Sequence, residues 1–316
     1  MLPTFFVIGA RKSGTTSLWR YMQGHPGIFV PENEKEPKYF VEERGWQRGQ
    51  EWYESLFAGA PEGSARGDLS TDYSIYPVYS GVPKRIADLI PDARLIYVMR
   101  DPIEHMRSAY AYSLWLGTES RPIREALLLD ARYSYECLYA LQIEQYLEHF
   151  PLSQMLLLTA EDLRFERRET MRRIFSFIGV DPDLCPDNVD EEYNVSRGRR
   201  APRAWARLAG DVLIRSGAAD RVPPGIERAI GRVNRSKLFA RDVRAEELQV
   251  DDDLRSRLAA VLRRDLSALR AFMGPSFTCW GLLDGVAGAP VPGAPVPGAP
   301  VAGASLPGAR SASSSS

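Results

Sequence analysis

One stretch near the start of the chain limits its fold more than any other: FFVIGARKSGTTSLWRYM, residues 5–22. A short, unbroken apolar run passes into Gly9-Ala10-Arg11-Lys12-Ser13-Gly14-Thr15-Thr16-Ser17, and an amphipathic segment follows. That order predicts a buried strand, a tight loop and the start of a helix. Such a junction offers free backbone N–H groups and the positive end of the helix dipole to an anion. Thr15, Thr16 and Ser17 add hydroxyl donors in the first turn. Gly9 and Gly14 have the spacing of the triphosphate pattern G-x-x-x-x-G-K-[ST]. Yet Thr15 stands where that pattern has its lysine, and Lys12 lies inside the loop. The second strongly apolar run ends Met99-Arg100, with no acidic residue to hold magnesium. The loop therefore fits a phosphate compound recognised without a metal, with Lys12 aimed at one oxygen.

A second constellation is VMRDPIEHMRSAY, residues 98–110. Arg100 leaves the C-terminal end of a predicted strand, where open α/β sheets bind ligands. Pro102 suits the first turn of the next helix. Asp101 is placed to cap that helix or to orient Arg100. Ser108 lies about two helical turns on, so its hydroxyl can share a side with Arg100. An arginine plus a hydroxyl make a compact site for a second phosphate. Two anion sites at the ends of neighbouring strands imply a nucleoside with phosphates at both ends.

The rest of the chain is consistent with that geometry. Apolar runs at Thr4–Ala10, Ala93–Met99 and Met155–Thr159 read as parallel strands covered on both faces. Helical stretches fall at Thr16–Gln23, Val82–Leu89, Ile103–Leu116, Cys137–His149 and Arg167–Ile178, with a last one at Leu254–Phe272. Alternation of this kind predicts an α/β, P-loop-like three-layer fold with a mostly parallel central sheet. Residues 1–282 form the expected domain, and 201–240, rich in Arg and Ala, a helical cap or insertion. Residues 283–316 carry a GAPVP-type five-residue repeat and a serine-rich end, the composition of a disordered tail.

Forty Lys and Arg against 41 Asp and Glu give a net charge of -1, which argues against a general nucleic-acid binder. Cys137, Cys185 and Cys279 are scattered, the pattern of filler in a reduced compartment rather than disulfides or zinc. No signal peptide and no membrane span are expected, so a cytoplasmic location is. Composition leaves the oligomeric state open.

With both motifs in order, the chain resembles sulfotransferases that use 3′-phosphoadenosine 5′-phosphosulfate (PAPS), in the branch of bacterial and Golgi carbohydrate enzymes. The resemblance runs from about Thr4 to Trp280 and includes KEPKYF, LYALQIEQYLEHFP, LLLTAEDL and RDLSALRAFMGPSFTCW. It implies that Arg11, Lys12, Ser13, Gly14, Thr15, Thr16 and Ser17 wrap the 5′-phosphosulfate, and that Arg100 and Ser108 bind the 3′-phosphate. Arg197 and Gly198, in YNVSRGRR, resemble the basic-glycine segment that closes over the nucleotide in relatives. Tyr139 matches a tyrosine that relatives carry, with packing or nucleotide contact as its role. Many relatives have arginine where His105 stands.

The resemblance also supplies a base. Relatives carry a glutamate matching Glu36 in NEKEPKYF, with Glu34 its competitor two positions away. Lys12 is then placed to stabilise the leaving 5′-phosphate. Lys38, where some relatives have histidine, and Ser70, where several carbohydrate enzymes have lysine, are acceptor-side residues. The departure at Ser70 counts against a heparan-type acceptor. The expected acceptor is a hydroxyl of a carbohydrate, glycolipid or secondary metabolite. The rivals are a P-loop nucleotide or metabolite kinase and a non-catalytic nucleotide-binding regulatory protein. A kinase would need magnesium and a lysine at position 15.

Overall fold

The computed structural model describes residues 1–191, 193, 200–202 and 240–283. Five strands form one sheet in which every pair is parallel: β1 (Phe5–Gly9), β2 (Ile28–Phe29), β3 (Ala65–Asp68), β4 (Arg94–Met99) and β5 (Met155–Thr159). Their spatial order is β2-β3-β1-β4-β5, with β1 at the centre. The unbroken apolar runs follow from burial on both faces. Phe6 and Ile8 of β1 join Leu95, Tyr97 and Met99 of β4 in one core layer. Phe5 and Val7 join Ile96 and Val98 in the other. Successive side chains point to opposite sides of a strand, so both layers need apolar residues.

Two sets of helices cover these faces. Helix α1 (Thr15–Gln23) shares its layer with Leu163 and with Met171, Ile174 and Phe175. The opposite layer takes α3 (Val82–Leu89), α4 (Pro102–Leu116) and α7 (Tyr139–Leu147), together with the long C-terminal α10 (Asp252–Met273). Helix α2 (Gln50–Ser55), α5 (Ile123–Leu129), α6 (Arg132–Tyr135), α8 (Ala160–Phe165) and α9 (Arg167–Ile178) complete the set among the described residues. In α10, Leu254, Leu258, Leu262, Leu266 and Leu269 recur at helical spacing and all are buried. The result is the three-layer α/β arrangement that the alternation predicted.

Sheet topology places the site. The chain leaving β1 turns into a helix on one face, and the chain leaving β4 turns into a helix on the other. Between two strands whose connections diverge a crevice opens at their C-terminal ends, the usual place for a ligand in such sheets. Gly9 is required where β1 ends, because a Cβ there would overlap the Ser74 hydroxyl.

Several boundaries differ from the sequence reading. The helix expected over Cys137–His149 is shorter, Tyr139–Leu147, because Cys137 and His149 sit in hydrogen-bonded turns at its ends. Strands β2 and β3 were not anticipated. The Ala65-Arg66-Gly67-Asp68 sequence of β3 carries no apolar run, and β2 has only two residues. The segment read as a helical cap lies mostly outside the described residues. Its two ends do not, and they form an antiparallel pair, β6 (Arg200–Pro202) with β7 (Ala240–Asp242). The repeat tail beyond 283 lies outside the described residues. No helix among the described residues is long and apolar enough to cross a membrane.

Candidate active site

The loop after β1 is shaped by two left-handed backbone positions. Lys12 has φ 63° and Gly14, which precedes helix α1, has φ 86°. Glycine tolerates that region; lysine there costs on the order of 1 kcal/mol, so the surroundings must hold it. Arg100 does so, donating from Nη1 to the Lys12 carbonyl at 3.2 Å. The two anion motifs are thus in direct contact. The Lys12 ammonium lies 4.5 Å from the centre of the Tyr112 ring, a cation–π distance. Ser13 is fully buried and its hydroxyl donates to the Arg11 carbonyl at 3.4 Å. Thr16 Oγ1 accepts from Lys35 Nζ at 3.2 Å, and Ser17 Oγ donates to the Tyr193 carbonyl. Thr15 is buried in the first turn of α1.

Arg100 and Ser108 are both half-buried, at the end of β4 and on α4. Asp101 caps α4, accepting from the Ile103 and Glu104 amides. Its other oxygen meets Arg255 at 3.3 Å. The cap reading of Asp101 therefore describes it, while the acidic neighbour of Arg100 is Glu104, at 3.6 Å. Arg197 and Gly198 lie outside the described residues.

Loop 30–38 brings Glu36, and not Glu34, to the phosphate loop. Glu36 Oε1 is 3.0 Å from Lys35 Nζ, the same ammonium that binds Thr16. Its Oε2 is 3.5 Å from Lys38 Nζ. Lys38 reaches on to Asp72 at 2.9 Å, and the other Asp72 oxygen is 3.4 Å from Arg11 Nε. A chain of alternating charge thus joins Thr16, Lys35, Glu36, Lys38, Asp72 and Arg11. Glu34 instead pairs with exposed Arg48 at 3.7 Å and lines a groove of about 480 Å³ beside β2.

Ser70 is corrected by the structure as an acceptor-side residue. It is fully buried, donates to Asp68 Oδ1 at 2.6 Å and accepts from the Lys38 amide at 2.8 Å. It fixes the loop that carries Lys38 instead of facing an acceptor. Asp68, also fully buried, accepts from Tyr53 and Tyr73 as well. Burial pushes its carboxyl up to about 6, although these hydrogen bonds pull the other way.

Three residues around the site went unread in the sequence, Lys35, Asp72 and Glu136, as did the hydrogen bonds of His105. Glu136 accepts from Arg11 Nη1 at 3.0 Å. Burial pushes the Glu136 carboxyl up, but His105 and Arg11 outweigh it and hold it below the usual carboxylate range. Burial likewise opposes the Arg11 charge, and Glu136 and Asp72 raise that guanidinium above its ordinary value. Of the polar residues around the site, Asp68 carries a local pattern, a side chain that accepts from the backbone N–H two residues on, at Ser70. Among the described residues, no group of three or more His, Cys, Asp or Glu side chains is placed to hold a metal ion.

Comparison with known proteins agrees with this geometry. Residues 2–196 match the family model described as Sulfotransferase domain. The chain is 31% identical over 188 residues to mouse heparan sulfate glucosamine 3-O-sulfotransferase 3A1, covering 57% of this chain and 46% of that protein. It is 31% identical over 200 residues to the human bifunctional heparan sulfate N-deacetylase/N-sulfotransferase 3, covering 57% of this chain and 23% of that one. The chain therefore spans less than half the length of either relative. In fold it resembles the crystal structure of a sulfotransferase from Alicyclobacillus acidocaldarius, at a TM-score of 0.63 and 24% identity, covering 89% of this chain and 99% of that one. A match across most of the chain, over the residues that carry both anion motifs and Glu36, makes this chain a member of the sulfotransferase family.

Proposed function

We propose that the chain transfers a sulfuryl group from PAPS to a hydroxyl of a carbohydrate, glycolipid or secondary metabolite. The observation that carries the reading is the contact between the two anion motifs, Arg100 Nη1 to the Lys12 carbonyl at 3.2 Å. That contact supports reading a 5′-phosphosulfate site and a 3′-phosphate site side by side at one crevice of the sheet. The names of its relatives support a carbohydrate acceptor, and that of the 3-O-sulfotransferase a sugar hydroxyl.

Each residue then has a physical task. Backbone N–H groups at the start of α1 and the Thr16 hydroxyl, which accepts from Lys35 and keeps its own proton, hold the 5′ end, and Ser17 joins them once its hydroxyl turns from the Tyr193 carbonyl. Arg100, with Ser108, holds the 3′-phosphate through charge-assisted hydrogen bonds. The acceptor oxygen bonds to sulfur as the bridge from sulfur to the 5′-phosphate breaks. Lys12 neutralises the negative charge that gathers on the departing phosphate. Glu36 takes the proton of the acceptor hydroxyl. Its oxygens meet Lys35 and Lys38, and each retains a lone pair for that bond.

The test is thermal stabilisation by adenosine 3′,5′-bisphosphate compared with ATP plus magnesium. A rise in Tm with the bisphosphate alone is expected. A rise only with ATP would turn the assignment toward a kinase, and no rise with either toward a protein without this donor. Mass analysis of products formed from PAPS and a panel of hydroxylated acceptors, heparan oligosaccharides and neutral glycolipids included, then identifies the acceptor class.

A further inference from the structure

A closed circuit of polar contacts joins the two phosphate motifs through Glu136 and Tyr139, which belong to neither. Glu136, in the turn between α6 and α7, receives Arg11 Nη1 on Oε1 at 3.0 Å. Its Oε2 lies 3.3 Å from His105 Nε2. On the other side of the imidazole, Nδ1 is 3.2 Å from the Tyr139 hydroxyl. That hydroxyl donates to the Arg100 carbonyl at 2.9 Å. Arg100 closes the ring by donating to the Lys12 carbonyl, next to Arg11.

His105 and Tyr139 are both fully buried, so the middle of the circuit is shielded from competing water, while Arg11 and Arg100 at its ends reach the open crevice. A buried polar group left without its partner costs about 1–3 kcal/mol, and each member therefore holds its neighbours in place. Packing alone does not require these polar atoms. Tyr139 already packs its ring against Tyr97 at a centroid distance of 6.0 Å.

We propose that Glu136, His105 and the Tyr139 hydroxyl are positioning residues that couple the two ends of the nucleotide site. They tie the loop arginine, Arg11, to the strand-end arginine, Arg100, so that a phosphate at one end favours the arrangement that receives a phosphate at the other. The protein thereby reads a nucleoside phosphorylated at both ends as one ligand. This inference rests on the nucleotide reading given above.

The test is calorimetric binding of adenosine 3′,5′-bisphosphate and of adenosine 5′-monophosphate to the wild type, Glu136→Gln and Tyr139→Phe. The ratio of the two Kd values measures what the 3′-phosphate contributes. In both variants that ratio falls about fivefold or more, the lower end of ordinary coupling between sites. Tyr139→Phe keeps the ring and its packing, so it reports on the circuit even where Glu136→Gln folds poorly. A purely structural role weakens both ligands in proportion, so a ratio unchanged in the variants, with wild-type binding intact, overturns the coupling alone. Failure of the wild type to bind the bisphosphate overturns the nucleotide reading and this inference with it.

Discussion

Arg100 holds Lys12 by its backbone, not by its side chain: the guanidinium donates to the Lys12 carbonyl at 3.2 Å. The left-handed turn at Lys12 is thereby fixed, while its ammonium lies over the Tyr112 ring. A lysine held in this way sits within the loop and not after it, which accounts for its offset from the triphosphate pattern.

If Lys12 serves the leaving phosphate, Lys12→Ala lowers kcat by about 10²–10³-fold, as for loss of one strong transition-state partner. Affinity for adenosine 3′,5′-bisphosphate changes far less, since the backbone N–H groups remain. Steady-state rates set beside calorimetric Kd values separate the two, and equal losses in both would count against the assigned role.

Glu36→Gln keeps the shape of the loop and removes the proton acceptor. Turnover falls by about 10²–10⁴-fold, the range for a positioned general base, with donor affinity preserved. Glu34→Gln leaves turnover near the wild-type value, because Glu34 faces Arg48 and not the phosphate loop. Initial rates at saturating PAPS decide between them; full activity in Glu36→Gln eliminates it as the base.

Gly9→Ala tests the close approach at the end of β1. An added methyl would overlap Ser74 Oγ and come within 3.0 Å of Tyr97 Cε2. Overpacking of that kind costs about 1–3 kcal/mol. The second substitution Ser74→Ala recovers part of the loss, measurable by urea unfolding of the single and double variants.

Asp68 gives stability a pH dependence of definite sign. Its carboxyl rises on folding from 3.8 to about 6, so the folded chain binds the proton more tightly than the unfolded one. The stabilisation linked to that proton is present below about pH 4 and is lost as pH climbs through 6. The rise corresponds to about 3 kcal/mol. Relative to Asp68→Asn, the wild type loses about 2 kcal/mol of this between pH 4.5 and 7.5, since part is already lost by pH 4.5. Urea unfolding of both proteins at the two pH values reads the difference, and parallel curves would refute it.

The central sheet was legible because β1, β4 and β5 are buried on two faces and so are apolar along their whole length. Strand β3 was not, since its stability comes from neighbours: Gly67 lies under the Phe5 ring and Asp68 is satisfied by two tyrosines. The strand–loop–helix turn after β1 and the place of Arg100 at the end of β4 were legible because strand ends follow directly from the apolar runs. Glu136 and Asp72 were not, because Arg11 meets one across 125 residues and the other across a turn after β3. Ser70 was misread for a related reason. Its place in the sequence does not reveal that the hydroxyl turns inward to Asp68.

The β6–β7 ladder pairs Arg200 with Asp242 and Pro202 with Ala240, and Ala201 is buried in the core. The chain therefore departs for residues 203–239 and returns from them through two adjacent doorposts. A segment joined in this manner can be lengthened, shortened or exchanged for another while the register of the sheet and both phosphate loops stay unchanged.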